Sequence, residues 1–264
     1  MSVVVKAFEL LQFFSAERPE MGLTELHRLA GRDKATTFRH LSALESVGLL
    51  ERNPATRAYR IGPAVLRLAR LREAVMPRRE VVEAALDRLA ALTGETAHAS
   101  ALSGNTLLSL SVRESDLHSN RVVIRETELP LHATASGLAV LAFGGPGLRA
   151  AALGAMERFT EATHATEAAL DAAVERARAE GFAVSAQGFE AGVHGTAAPL
   201  FDETGLIAGA VAVAAPASRM TPELGRTIRQ GLTRAAHEIS QGWGGQVPAG
   251  LQALWGRALA AETA

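Results

Sequence analysis

Residues whose chemistry could be used lie mainly in two short segments. The first, residues 33–47 (DKATTFRHLSALESV), puts Lys34, Ala35, Thr36, Arg39 and His40 on one side of a helical repeat, with Phe38, Leu41, Leu44 and Val47 on the other. A helix divided in this way can lay polar side chains against base-pair edges while its apolar side packs on a domain. Arg39 suits the O6 and N7 acceptors of guanine or a phosphate, Thr36 can touch bases or backbone, and the Ala35 methyl can pack on thymine. Further on, Arg52, Arg57 and Arg60 surround the turn residues 53–57. An arginine there can enter a narrow minor groove, where the negative potential is enhanced, and Arg57 is the expected one. Thr24 reads as the N-cap of a preceding short helix whose free amides favour a phosphate. The second segment, residues 131–139 (LHATASGLA), passes from a loop into an apolar helix. Thr134 reads as its N-cap, and Ala135, Ser136 and Gly137 are too small to cover the first-turn amides. That end therefore suits a carboxylate.

Other chemistries find little support. The 264 residues contain no cysteine, which removes thiolate catalysis, disulfides and cysteine-ligated zinc. Lys6 and Lys34 are the only lysines, so Schiff-base chemistry has almost no candidates. No G-x-S-x-G surrounds Ser136, no S-x-x-K occurs, and His237-Glu238 is not followed by a second metal histidine. His98, His118, His132 and His194 show no helical ligand spacing, so no metal or other cofactor is expected. An enzyme acting on a small molecule and a DNA binder without effector are the alternatives to a ligand-responsive DNA-binding regulator. Both are less well supported by these residues.

Two sets of elements must position the segments. Ser2 can cap a helix carrying Val3, Ala7, Leu10, Leu11 and Phe14. Thr24 begins a second helix over 25–30, and Asp33 caps a third over 34–47, closed by Gly48. Alternating residues 49–52 and 58–61 across the turn 53–57 read as a hairpin, and the whole reads as a winged helix-turn-helix over residues 1–62. Residues 63–77 suit a linker helix that stops near Pro77. Residues 78–242 then mix helices (78–93, one opening at Thr134, 148–156, 166–180, 221–241) with strands (96–102, 106–113, 121–125, 182–185, 195–201, 206–214). That pattern predicts an α+β domain with helices packed on a mixed antiparallel sheet. Residues 243–264 form a tail with no assigned role.

Charge divides along the same boundary. Residues 1–75 carry 12 Lys or Arg against 8 Asp or Glu, while the remainder carries 15 against 20. A basic head and an acidic body fit a first domain that meets a polyanion. With 48% apolar residues the chain can bury a substantial core, and its longest apolar stretch, residues 205–217, is too short for a membrane helix. Residues 1–14 carry Glu9 within their apolar run and lack a basic leader, so a cytoplasmic protein is expected.

Taken in order, VVVKAFELLQFF, GLTELHRLAGRDKATTFRHLSALESVGLLERNPATRAYRIGP, LPLHATASGLAVLAF, GFAVSAQGFEAGVHGTAAPLFDETG and AVAVAAPASRMT resemble the IclR-type bacterial transcription regulators over about residues 3 to 240. The resemblance implies a winged helix on operator DNA, a GAF-like or PAS-like effector-binding domain, and assembly as a dimer or tetramer. It also implies an acidic effector at Thr134, Ala135 and Ser136. Further pocket positions carried over by motif are Ser185, Gly195, Ala212 and Ala214, where small keto-acid binders of the family carry aspartate, cysteine and two serines; Leu138 stands where many relatives have lysine. These replacements predict a roomier, more apolar pocket suited to an aromatic acid or a related derivative. Arg113, Arg125, His132 and His194 are candidates for contacts at the far end of the ligand.

Overall fold

The computed structural model describes residues 2–15, 18–75 and 78–261. The expected helix stop at Pro77 and the last tail residues, 262–264, lie outside them. The chain divides into two compact units, Met1–Pro77 and Arg78–Ala264.

In the first unit, Ser2 caps α1 (Val3–Phe8), its Oγ accepting from Val4 N at 3.3 Å. The expected continuous helix then tightens into a 3₁₀ stretch, Glu9–Phe13, that buries Leu10. α2 (Leu23–Leu29), α3 (Lys34–Ser46) and the two-stranded wing β1 (Leu50–Arg52) and β2 (Tyr59–Ile61) follow, then α4 (Ala64–Val75). Leu10, Met21, Leu26, Leu41, Leu44, Leu50 and Tyr59 form the core. Each buried leucine removes enough apolar surface to contribute roughly 1.5–3 kcal/mol.

The second unit is a three-layer stack. α5 (Arg78–Thr93) leads into the hairpin β3 (Thr96–Ser103) and β4 (Thr106–Arg113). After a long loop come α6 (Ala135–Phe143), α7 (Pro146–Gly154), α8 (Glu167–Glu180), β5 (Ala183–Ala186), β6 (Val193–Phe201), β7 (Ile207–Pro216), α9 (Pro222–Gly242) and α10 (Ala249–Ala261). The sheet order is β4-β3-β7-β6-β5, antiparallel at every pairing. Strand alternation divides the core: Val211 and Val213 face Leu86, Ile228 and Trp255 of the α5, α9 and α10 layer. Ala210 and Ala212 face Leu138, Leu148 and Leu170 of the α6, α7 and α8 layer. Small residues on that side let α6 settle close to the strands. Gly137 is required there, because a Cβ would stand 2.5 Å from the Leu131 backbone.

Two sequence expectations change. Residues 121–125 are not a strand. Thr127 O, Glu128 and Leu129 N are the points where this segment meets β4, and Val122, Val123 and Ile124 instead line a cavity. The loop is held by Thr96 Oγ1 donating to Val122 O at 2.6 Å and Arg219 Nη1 donating to Asn120 O at 2.7 Å. The tail is part of the core: Trp255 is fully buried, stacks on Phe182 at 5.5 Å between ring centres, and donates from Nε1 to Gly181 O at 2.8 Å.

Candidate functional site

α3 starts where Asp33, in an extended conformation, accepts from Thr36 N at 2.8 Å. That bond holds the Asp33 carboxyl below its ordinary value, so the cap is an anion at working pH. Lys34, Ala35 and Arg39 are exposed and Thr36 is partly so; Arg39 Nη2 donates to Thr36 Oγ1 at 3.1 Å. His40 does not belong with them. The buried stripe is Thr37, His40, Leu41 and Leu44, while Phe38 is 43% exposed. A spacing of three, then one, then three faces one side of a helix, so the stripe sits one residue off the expected one and encloses two polar side chains. The Thr37 hydroxyl is satisfied by donating to Asp33 O at 3.0 Å. Burial first, then Arg32, Arg39 and Lys6, lowers the His40 pKa and keeps the ring neutral.

Thr24 is also corrected. Gly22 is the N-cap of α2, its carbonyl accepting from Glu25 N and Leu26 N, and Thr24 falls inside the first turn. On the wing, Arg52 turns inward. It donates to Tyr59 OH, pairs with Glu45 at 3.2 Å, and lies over the Tyr59 and Phe38 rings at 4.6 and 5.5 Å. A guanidinium spent on a carboxylate and two rings is a strut between α3 and the wing. Arg60 pairs with Glu51 and Glu20 at 2.6 and 3.3 Å. Among the described residues, Arg57 alone of the three arginines is exposed without a carboxylate partner, and it sits at the turn with φ +61°. Asn53 O accepts from Arg57 N at 2.8 Å and closes that turn.

In the second unit the cavity lies between the sheet, the start of α6, the 122–129 loop and the 189–193 loop. Strand register assembles its floor: Ser185 pairs with Gly195, Gly195 with Ala214, and His98 with Ala212. Ser185, Gly195, Ala214 and His98 line the space; Ala212 is covered beneath α6 and does not. Thr134, Ala135 and Ser136 form one end, and Val122, Ile124, Leu129 and Phe189 supply apolar walls. Positions open to the centre of a water molecule fill about 70 Å³. That is several times the roughly 10–15 Å³ that one water needs, so the space suits a small organic molecule.

Polar groups here are few and mostly engaged. Thr134 Oγ1 accepts from Gly137 N at 3.0 Å and donates to Pro130 O at 2.9 Å. Ser185 Oγ donates to Ala133 O at 2.6 Å, which spends its proton and leaves only acceptor capacity towards a ligand. The first-turn amides of α6 at Ala135 and Ser136 have no intrahelical acceptor, as at any helix start. A Cβ at Gly195 would stand 3.1 Å from Ala135 Cβ, so glycine keeps this end open. Glu126 and Glu190 line the rim and are exposed. They disfavour an anion at the mouth and leave the α6 end as the favourable place for one.

His98 escaped the sequence reading except as an unsuitable metal ligand. Its Nε2 lies 3.2 Å from Ser136 Oγ, and its buried Nδ1 has no hydrogen-bond partner among the described residues. Burial pushes its pKa down to about 4, so the ring is neutral. Strand alternation from Ala97 and Ala99, which face the other layer, was the available signal. The other far-end candidates are not in the cavity. Arg113 pairs with Asp87, His132 Nε2 meets Glu157 O at 2.8 Å, Arg125 borders an adjoining recess, and His194 lines neither. Among the described residues no group of three or more His, Asp or Glu could hold a metal, and no helix is long and apolar enough to cross a membrane.

Comparison with known proteins matches both units. Residues 3–54 match the IclR helix-turn-helix domain, and residues 74–241 match the bacterial transcriptional regulator IclR C-terminal family. The regulator BhcR of Paracoccus denitrificans is 33% identical over 88% of this chain and 84% of its own length. XynR of Escherichia coli is 26% identical over 91% and 96%. A crystal structure of an IclR transcriptional regulator from Silicibacter sp. TM1040 superimposes with a TM-score of 0.89 at 42% identity, covering 94% of this chain and 98% of that one. An IclR homolog from Microbacterium hydrocarbonoxydans, complexed with 4-hydroxybenzoate, has the same fold at 24% identity, a TM-score of 0.73, and 92% and 99% coverage.

Proposed function

The chain belongs to the IclR family of bacterial transcription regulators, and from that premise we propose that it reads operator DNA through α3 and the Arg57 turn and answers to an aromatic carboxylic acid. Lys34, Ala35, Thr36 and Arg39 supply the groove contacts, with Arg39 the main discriminator of guanine. Arg57, free of carboxylates, supplies a sequence-independent or minor-groove contact. His40 and Arg52 drop out of the contact set for the reasons given above, while Thr24, exposed in the first turn of α2, keeps the phosphate-contact role without the capping one.

The observation that carries the effector reading is the cavity itself. It is walled by apolar side chains, floored by small ones, and open to a helix start whose cap is neutral. A carboxylate fits at the Ala135 and Ser136 amides and a ring fits against Val122, Ile124 and Phe189. A two- or three-carbon keto acid would leave the apolar walls unused, and Gly195 and Ala214 offer no polar side-chain group on the floor. Occupancy regulates only by favouring one arrangement of the protein over another, so the effector changes DNA affinity by its differential affinity for the two.

Self-association as a dimer or tetramer accompanies this reading. Val3, Val4 and Phe8 on α1 and Leu66, Leu68 and Leu71 on α4 are more than 45% exposed, apolar side chains that self-association would cover. Mobility-shift titration with the DNA upstream of the gene, with and without 4-hydroxybenzoate, benzoate, pyruvate or glyoxylate, tests the whole. The expected result is a ligand-dependent shift with a benzoate. Tight binding of a keto acid and indifference to aromatic acids would overturn the effector reading, and sedimentation as a monomer at all concentrations would overturn the assembly.

A further inference from the structure

The effector reading gives the cavity an anion site at α6. His98 adds a second property, which rests on that reading. The imidazole is 8% exposed and lines the cavity, with Nε2 3.2 Å from Ser136 Oγ in the first turn of α6 and Nδ1 buried without a partner among the described residues. Its neighbours on the packed elements are uncharged: Val112 across β4, Ala212 across β7 and Ser136 on α6. The charged groups on the cavity walls are Glu126 and Glu190, both exposed, and His194 lies two strands away on β6. Nothing anionic lies deep enough to compensate an imidazolium.

We propose that His98 is a selectivity residue of this cavity, taking up a proton as a carboxylate effector binds, so that acid and proton enter together as a neutral pair. The ligand carboxylate is the acceptor that an imidazolium otherwise lacks, and the imidazolium adds a charged donor to the two amides. The balance is one carboxylate plus one proton per site, with no bond made or broken in the ligand. An amide, ester or alcohol of the same ring brings no negative charge and cannot retain the proton, so it binds without the ion pair and without proton uptake. In the empty cavity burial holds the ring neutral down to about pH 4. Between that value and the higher pKa of the complex, each bound acid draws in one proton and affinity falls as pH rises.

The test is isothermal titration of the full-length protein with 4-hydroxybenzoate and benzoate between about pH 5.5 and about pH 7.5, where carboxyls of ordinary pKa are ionised throughout. Two buffers of different ionisation enthalpy at each pH count the protons taken up. For a bound-state pKa near 6.5, binding is expected to be about tenfold weaker at the upper end, with close to one proton taken up at the lower. His98→Gln should still bind the acid but with no pH slope, whereas Glu126→Gln combined with Glu190→Gln should keep the slope. Affinity independent of pH, a slope that persists in His98→Gln, or one lost with the two glutamates would each overturn the proposal while leaving the effector reading intact. Absence of binding by any benzoate at any pH would overturn the effector reading and this inference with it. Ring NMR of the unsubstituted protein supports the proposal independently if His98 is neutral at about pH 6 when empty and protonated when benzoate is bound; a ring that stays neutral in both states contradicts it.

Discussion

Two helix starts use one local device and open onto opposite environments. Asp33 caps α3 and Thr134 caps α6, each accepting from the amide three residues on. The α3 cap carries a negative charge, faces solvent and is followed by Lys34, Thr36 and Arg39. The α6 cap is neutral, and every residue of the helix but its last, Phe143, is buried. An anionic cap already satisfies the helix dipole and repels a further anion, so α3 must meet a polyanion through side chains. A neutral cap leaves the dipole and two amides available, so α6 can meet an anion through its backbone. On the proposed function, the choice of capping residue separates a surface suited to a polymer from a cavity suited to a small acid.

A buried histidine accompanies each helix, His40 within α3 and His98 against the first turn of α6, and the largest expected effect concerns the one in the cavity. His98 has its pKa depressed from 6.5 to about 4, a difference worth roughly 3 kcal/mol. Because the folded state favours the neutral ring, that contribution is complete above about pH 6.5 and is lost as pH falls through about 4. Thermal denaturation across this window should show less acid sensitivity in His98→Gln; an unchanged profile would mean that the ring is not desolvated as described. Next comes Arg39→Ala, expected to weaken specific DNA binding by about 1–3 kcal/mol in mobility-shift titrations. Equal affinity would move base reading away from α3.

A direct exchange of caps tests the comparison itself. Thr134→Asp gives α6 the cap of α3 and should weaken benzoate binding at least tenfold, or about 1.4 kcal/mol, whereas Thr134→Asn, still neutral, should weaken it less. Similar losses in both would show that the Thr134 donation to Pro130 O matters more than charge. The smallest effect is expected at Arg57→Gly. Loss of the cation should reduce the salt slope of DNA binding by roughly 0.9, while glycine at φ +61° should raise stability by a few tenths to about 1 kcal/mol. A slope that does not change would show that Arg57 is only a solvated charge.

Much of this architecture is legible in the sequence because it is local. Caps at Asp33, Thr134 and Thr166, the stop at Gly181 and the period-two strands around residues 96–113 depend on neighbours a few residues away. The readings that failed depended on distant partners. His40 looks solvent-bound by residue type, yet it is buried, and its Nδ1 has no partner among the described residues. Arg52 looks like a free wing cation until Tyr59 and Phe38 come up beside it. Val122 to Ile124 have strand-like composition, but Thr127, Glu128 and Leu129 are the residues that reach β4. Of the pocket set, Gly195 and Ala214 reach the cavity through register, and the same register covers Ala212 and brings in His98.

Trp255 has a consequence for the order in which the protein comes into being. Every core residue of the winged-helix unit, Leu10 to Tyr59, has emerged long before synthesis reaches α10, whereas the sensor cannot close over Phe182 until that indole arrives. For part of its life on the ribosome the chain is expected to own a finished hand and an unfinished ear. A message truncated ahead of Ala249 should therefore yield a chain whose first unit folds and whose second unit does not, which limited proteolysis would show.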